Sequence, residues 1–147
     1  MIYGSIIGMA LIVVLQDHPP PPASVAALLV GTAVAVGLAE LYSEVLGAET
    51  RTRARVAAHD VREILRDAIA VGFGITFPAV YFVLAAFGAM EVDTAFRLAK
   101  WSGVGLIGFY GFCAARLAGA GVPVALLQGC AAGAIGAALI ALKAVVH

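Results

Sequence analysis

The chain has 147 residues, of which 63% are hydrophobic and 12% are charged, and its formal net charge is zero. A soluble domain carries roughly 25% charged residues, so this composition excludes an ordinary water-soluble domain and predicts a lipid bilayer as the surrounding medium. The balanced charge also argues against nucleic acid as a partner. The length suits one membrane domain without a separate soluble core.

Five segments are apolar enough to form transmembrane helices, and none shows the alternating polarity of a membrane β-strand. A helix needs roughly 20 apolar residues to cross about 30 Å of hydrocarbon. The expected spans are residues 2–15, 24–46, 68–88, 95–117 and 124–146. The sequence therefore predicts an all-α integral membrane protein with five transmembrane helices.

The first span is short, and the proline run from Pro19 to Pro22 follows it and prevents the helix from continuing. Gly4 and Gly8 share one face of this span, and small residues at this spacing are typical of close helix contacts in membranes. We therefore expect the first helix to be buried, against its symmetry mate in a homodimer.

Between the second and third spans, residues 49–67 are polar but periodic, which predicts an amphipathic helix on the cytoplasmic surface. We expect its basic face to contact anionic lipid headgroups. This face contains Arg51, Arg55, Arg62 and Arg66. Alternatively, His59, Glu63 and Asp67 at i, i+4 and i+8 would offer one nitrogen and two carboxylates to a divalent metal ion.

The later spans carry three further features. Pro78 lies inside the third span and predicts a kinked helix. Cys113 and Cys130 lie in the fourth and fifth spans, where inert packed thiols are expected. Small residues that predict close helix contact recur at Gly108, Gly111, Gly129, Gly133 and Ala137.

The distribution of basic residues near the span ends predicts the orientation, because positive charge is retained in the cytoplasm. One side carries Arg51, Arg53, Arg55, Arg62, Arg66 and Arg116, and the other carries Arg97, Lys100 and Lys143. The amino terminus is therefore expected in the cytoplasm, with the protein in the plasma membrane of a prokaryote.

Two carboxylates lie in the second span. Glu40 and Glu44 are one helical turn apart, and Tyr42 and Ser43 add hydroxyl groups nearby. A carboxylate below the headgroups costs about 2 to 3 kcal/mol unless it is compensated. Three explanations remain open: Glu40 forms an ion pair with a basic residue such as Arg116, the carboxyl group is protonated, or Glu40 and its neighbours line a hydrated path for cations or protons.

The arrangement resembles the vacuolar iron transporter family. The resemblance rests on the five spans, the charged insertion after span two, and three short motifs. These are Glu40-Leu41-Tyr42-Ser43, Gly74-Ile75-Thr76-Phe77-Pro78 and Ala115-Arg116-Leu117-Ala118-Gly119. The resemblance implies a homodimer that moves Fe²⁺ or Mn²⁺ against protons, with Glu40 in the metal path between the first and second helices of both subunits.

Two functions are therefore expected in order of preference. The first is a transporter or channel-like protein for divalent cations, without a resident cofactor. The alternative is a non-transporting scaffold or accessory subunit, favoured because this sequence lacks the aspartate of the family's first span and the methionine before its Glu-Tyr element. An enzyme is not expected, since no nucleophile with a paired base is apparent.

Overall fold

The described part of the chain is entirely α-helical. A computed structural model describes the backbone of residues 2–52 and 58–146 and the side chains of residues 2–50, 60–138, 140 and 141. Within these ranges the helices are α1 (Ile2–Leu15), α2 (Pro22–Thr52), α3 (Ala58–Thr76), α4 (Ala79–Ala86), α5 (Val92–Leu117) and α6 (Val122–Val146). The expected all-α class is confirmed.

The helix bounds differ from the expected ones between spans two and three. α2 continues to Thr52, past the expected end at residue 46, and α3 begins at Ala58. Within the segment 49–67, residues 49–52 therefore belong to α2 and residues 58–67 to α3, and residues 53–57 lie outside the described part of the chain. The change from apolar to polar residues does not end α2, because residues 47–52 contain no proline. Thr50 Oγ1 donates to the Leu46 carbonyl (2.7 Å), a bond that the helix accommodates without ending.

The expected kink in the third span is confirmed. α3 ends at Thr76, α4 begins at Ala79, and the two helices are bent by 44° at the break. Pro78 has no backbone N–H and cannot donate to the carbonyl of Gly74, which interrupts the helical ladder. The helix resumes through shorter-range bonds from Val80 to Phe77 and from Tyr81 to Pro78.

One described helix, Pro22–Thr50, is long and apolar enough to cross a bilayer. The bent pair α3 and α4 is a second candidate if its two helices form one broken span. Ile2–Leu15 and Val122–Ala138 are apolar but shorter. These helices give limited support for membrane association, and the number of spans stays a prediction.

α1 lies between two groups of helices, packing mainly against α3 on one side and α5 on the other. A β-carbon at Gly4 would overlap the backbone oxygen of Val71, and one at Gly8 would lie 3.0 Å from the Cα of Ile75. The expected burial of α1 is therefore confirmed. Its glycine face contacts α3 of the same chain, whereas the sequence analysis expected a symmetry mate.

A cluster of buried side chains joins α4 to α2 and α5. Phe82 of α4 and Phe96 of α5 are fully buried, and their rings meet edge to face at 4.8 Å between centroids. Val25 and Leu29 of α2 belong to the same cluster. Packing is therefore continuous from α2 across α4 to α5 at the end of the molecule where α2 begins.

α5 and α6 form an antiparallel hairpin with direct backbone contact. A β-carbon at Gly129 would lie 2.8 Å from the oxygen of Gly108, and one at Gly111 would lie 2.7 Å from the β-carbon of Ala132. The close contact expected from these glycines is confirmed.

Candidate functional site

Glu40 continues the inward-facing side of α2. Leu29, Ala33, Val36 and Glu40 are spaced i, i+4, i+7 and i+11, so they fall within about 60° of one another around the helix. Leu29 and Ala33 are buried, whereas Val36 and Glu40 are half-buried. The carboxylate of Glu40 therefore lies on the face that, one to three turns earlier, packs into the protein core.

The packing register places Glu40 beyond the first turn of α1. Gly37 lies opposite Ala68, and Gly4 lies opposite Val71. Helices rise by about 1.5 Å per residue. Measured along the axis of α3, Glu40 therefore lies roughly 6 Å beyond Ile2, in the direction of the end of the molecule where α2 ends and α3 begins. We call this the lower end. From its first described residue, Ile2, α1 thus covers the inward face of α2 above Glu40 and does not reach Glu40 itself.

The other residues of the expected ion path are arranged differently. Glu44 is exposed one turn nearer the lower end, on the same side of α2 as Glu40. The side chain of Tyr42 is 69% exposed, and a two-residue separation turns it about 160° away from Glu40. Ser43 is also exposed. Within one chain, the hydroxyls of Tyr42 and Ser43 are not gathered around the Glu40 carboxylate.

The ion pair between Glu40 and Arg116 is not formed among the described residues. Arg116 lies at the end of α5, which makes few or no contacts with α2. Its Nη1 atom instead donates to the Ala120 carbonyl at 2.8 Å. This arginine therefore does not neutralise Glu40.

The expected metal ligands on α3 are only partly described. Glu63 and Asp67 are exposed one turn apart, and the side chain of His59 lies outside the described residues. Among the described side chains, no group of three or more histidine, cysteine, aspartate or glutamate residues is placed to hold a metal ion. The metal set with His59 stays a prediction.

Arg62 and Arg66, two of the four expected headgroup ligands, are exposed on α3. The side chains of Arg51 and Arg55 lie outside the described residues. Arg62 and Arg66 form no hydrogen bond or ion pair with the described part of the chain. Their guanidinium groups are therefore open to an external anion.

Sequence reasoning missed an open groove between α2 and α3. Its volume is about 320 Å³, and its walls are almost wholly apolar. The lining residues are Val30, Ala33, Val34, Gly37, Leu38, Leu41, Leu65, Ala68, Ile69, Gly72 and Thr76. The sequence did contain a signal for this groove, because small residues recur one helical turn apart on both helices. They are Ala33 and Gly37 on α2 and Ala68 and Gly72 on α3.

A second missed feature is a polar contact near the opposite end of the molecule. Lys100 Nζ of α5 donates to Gln16 Oε1 at 2.7 Å, just after the last residue of α1. Both side chains are half-buried. This bond ties the end of α1 to the first part of α5, which also carries Asp93 and Arg97.

The cysteines form no cross-link: Cys113 is half-buried, Cys130 is exposed, and both thiols are free. The expected packed environment is therefore found only in part for Cys113 and not for Cys130 within the described part of the chain. Since neither belongs to a metal-binding group among the described residues, they are not part of the candidate site.

The chain matches no protein-family model, and no curated protein or solved structure is significantly similar to it. The candidate site is therefore defined by the geometry of this chain alone, and the resemblance to the vacuolar iron transporter family stays a prediction.

Proposed function

We propose that the chain is a homodimeric membrane transporter or channel-like protein for divalent cations. Fe²⁺ and Mn²⁺ are the expected substrates, and protons are the expected counter-ion. In this proposal the amino terminus and the lower end lie in the cytoplasm of a prokaryote, because the arginine-rich segment between α2 and α3 is at that end.

A bilayer environment is supported by the outer surface of the molecule. Every helix exposes large apolar side chains, for example Val14, Leu38, Ile69, Val80, Phe109 and Leu127. Soluble monomers rarely expose apolar patches that surround the whole molecule, since such surfaces drive association in water. Lipid tails would cover the same side chains without that penalty.

The position of Glu40 is the observation that carries the proposal. Its carboxylate lies on the inward face of α2, is half-buried, has no ion-pair partner among the described residues, and is uncovered by α1. Carboxylate oxygens are suitable ligands for hard or borderline divalent cations. Glu44, one turn nearer the lower end, would attract the ion before it reaches Glu40.

Ion flux into liposomes that contain the purified protein tests this role. We expect Glu40→Gln to lower Mn²⁺ and Fe²⁺ flux by about tenfold, which corresponds to losing about 1.4 kcal/mol of ion binding. Glu91→Gln is the matched control, since Glu91 is an exposed carboxylate at the start of α5. Its flux should stay near that of the native protein.

The scaffold or accessory subunit is the second candidate. It is favoured by the composition of three grooves on the described part of the chain, which are lined mainly by apolar or small residues. Native protein that carries no measurable Mn²⁺, Fe²⁺ or proton flux would support the scaffold. If the native protein does carry ions and Glu40→Gln carries them at the same rate, the chain is a transporter but Glu40 does not line its path.

A further inference from the structure

The groove between α2 and α3 has the dimensions of one lipid leaflet. Its walls run from Val30 to Leu41 on α2 and from Thr76 to Leu65 on α3. At about 1.5 Å per residue, each wall is roughly 16 Å long. The hydrocarbon core of a bilayer is about 30 Å thick, so one leaflet contributes about 15 Å. An acyl chain that enters from the lower end would therefore be covered along most of its length.

Two arginines continue the outer wall of this groove toward the lower end. Arg62, Arg66, Ile69 and Phe73 are spaced i, i+4, i+7 and i+11, so they form one ridge on α3. All four side chains are exposed, and Ile69 also lines the groove. The basic part of the ridge begins where the apolar groove ends, beside Leu65.

The acidic residues of α3 lie away from this ridge. Glu63 and Asp67 each follow one of the arginines by one residue, which turns them about 100° further around the helix. On the opposite wall, Glu44 follows Leu41 by less than one turn and is exposed. Glu40 lies on the face of Ala33, which lines the groove, at about the level of Leu65. Among the described side chains, the mouth of the groove therefore presents Arg62 and Arg66 on the outer ridge of α3 and the carboxylates of Glu40 and Glu44 on α2, and the exposed arginine pair suits the phosphate of a headgroup.

We propose that this groove binds one anionic glycerophospholipid, with an acyl chain between α2 and α3 and the phosphate on Arg62 and Arg66. The occupant is a lipid rather than free phosphate, because a free anion would leave the apolar groove unfilled. The exposed arginine pair at the mouth and the leaflet-length groove support the same ligand from independent sides. The proposal does not depend on ion transport.

Lipid titration of the detergent-solubilised full chain, followed by native mass spectrometry, tests the site. We expect one phosphatidylglycerol to bind in preference to phosphatidylcholine. Each of Arg62→Gln and Arg66→Gln should weaken phosphatidylglycerol binding about fivefold, and the double variant about 25-fold. Arg97→Gln is the control, because Arg97 is exposed on α5 near the opposite end.

A second pair of variants tests the groove itself. Val34 is 57% exposed on the groove wall, so Val34→Trp should fill the groove and lower the binding of both lipids. Leu127→Trp, at a 70% exposed position on α6, should leave binding unchanged. If Val34→Trp does not fold, Leu38→Trp replaces it, since Leu38 is exposed on the same wall.

Several outcomes would overturn the proposal. Equal binding of phosphatidylglycerol and phosphatidylcholine, or an unchanged preference in the double arginine variant, would exclude the headgroup site. If Arg97→Gln lost as much phosphatidylglycerol binding as the double variant, the arginines would act through the overall charge of the protein and not through a specific site. Displacement of phosphatidylglycerol by millimolar inorganic phosphate would identify a free-anion site, and full lipid binding by a folded groove variant would exclude the groove.

Discussion

The two helical hairpins of this chain are both held together by small residues, but they use them differently. In the α5–α6 hairpin, glycine lies against glycine, and a β-carbon at Gly129 would be 2.8 Å from the oxygen of Gly108. In the α2–α3 hairpin, glycine lies against alanine, and a β-carbon at Gly37 would be 3.6 Å from the oxygen of Ala68. The first contact has no room for a methyl group, whereas the second does.

The hairpins also differ in the charges near their grooves. The groove between α5 and α6 has Arg116 one turn beyond its lining residue Phe112, and that guanidinium is occupied by the Ala120 carbonyl. The groove between α2 and α3 ends beside Arg62 and Arg66, which bind no described residue. The α5–α6 groove is the larger of the two, at about 440 Å³ against about 320 Å³, so the exposed arginine pair, rather than the space, distinguishes α2–α3 as a ligand site.

The largest expected effect comes from adding a methyl group to the tighter hairpin. Gly129→Ala forces α5 and α6 apart, because the nearest obstacle is backbone rather than a mobile side chain. We expect it to lower the free energy of unfolding by about 1 to 3 kcal/mol. Reversible unfolding in mixed micelles, followed by circular dichroism, measures this. An unchanged unfolding midpoint would contradict the described backbone contact.

A glycine-to-alanine substitution in the looser hairpin should change the free energy of unfolding in the opposite direction. Gly37→Ala places a methyl group at ordinary contact distance from Ala68 and favours the helix, so we expect a gain of up to about 1 kcal/mol in the free energy of unfolding. The same unfolding experiment measures it. A loss as large as that of Gly129→Ala would mean that the two hairpins are equally tight.

The smallest expected effect is at the turn of the tighter hairpin. Arg116→Gln removes the bond to the Ala120 carbonyl, but both groups can bind water because Arg116 is exposed and Ala120 is half-buried. We expect a loss of about 0.5 kcal/mol or less. A loss above about 1.5 kcal/mol would show that this bond, rather than glycine packing, closes the α5–α6 turn.

Much of the fold could be predicted because helix formation depends on local sequence. The bounds of α1 agree with the expected span, and Pro78 breaks the third span because it lacks an N–H group. The extension of α2 to Thr52 was missed because hydropathy reports the surrounding medium, whereas helix ends depend on backbone-breaking residues. The partner of Gly4 was missed because glycine spacing identifies a contact face without identifying the helix it meets.

The candidate site was predictable to a smaller extent. Glu40 was identified because a carboxylate in an apolar segment is costly, and it does lie on an inward face. Tyr42 was grouped with it by closeness in sequence, although 100° per residue already places the two on nearly opposite sides of α2. The groove between α2 and α3 depends on how two distant segments pack, so one segment alone could not reveal it.

The central position of α1 affects the order in which the protein can assemble during synthesis. α1 leaves the ribosome before the other described helices, but its main contacts are with α3 and α5, and Lys100 of α5 supplies the bond to Gln16. At 14 residues, this helix is also shorter than a bilayer-spanning helix requires. Its final docking must therefore wait for translation of α5, because the side of α1 that packs against α5 is not covered by this part of the chain before then.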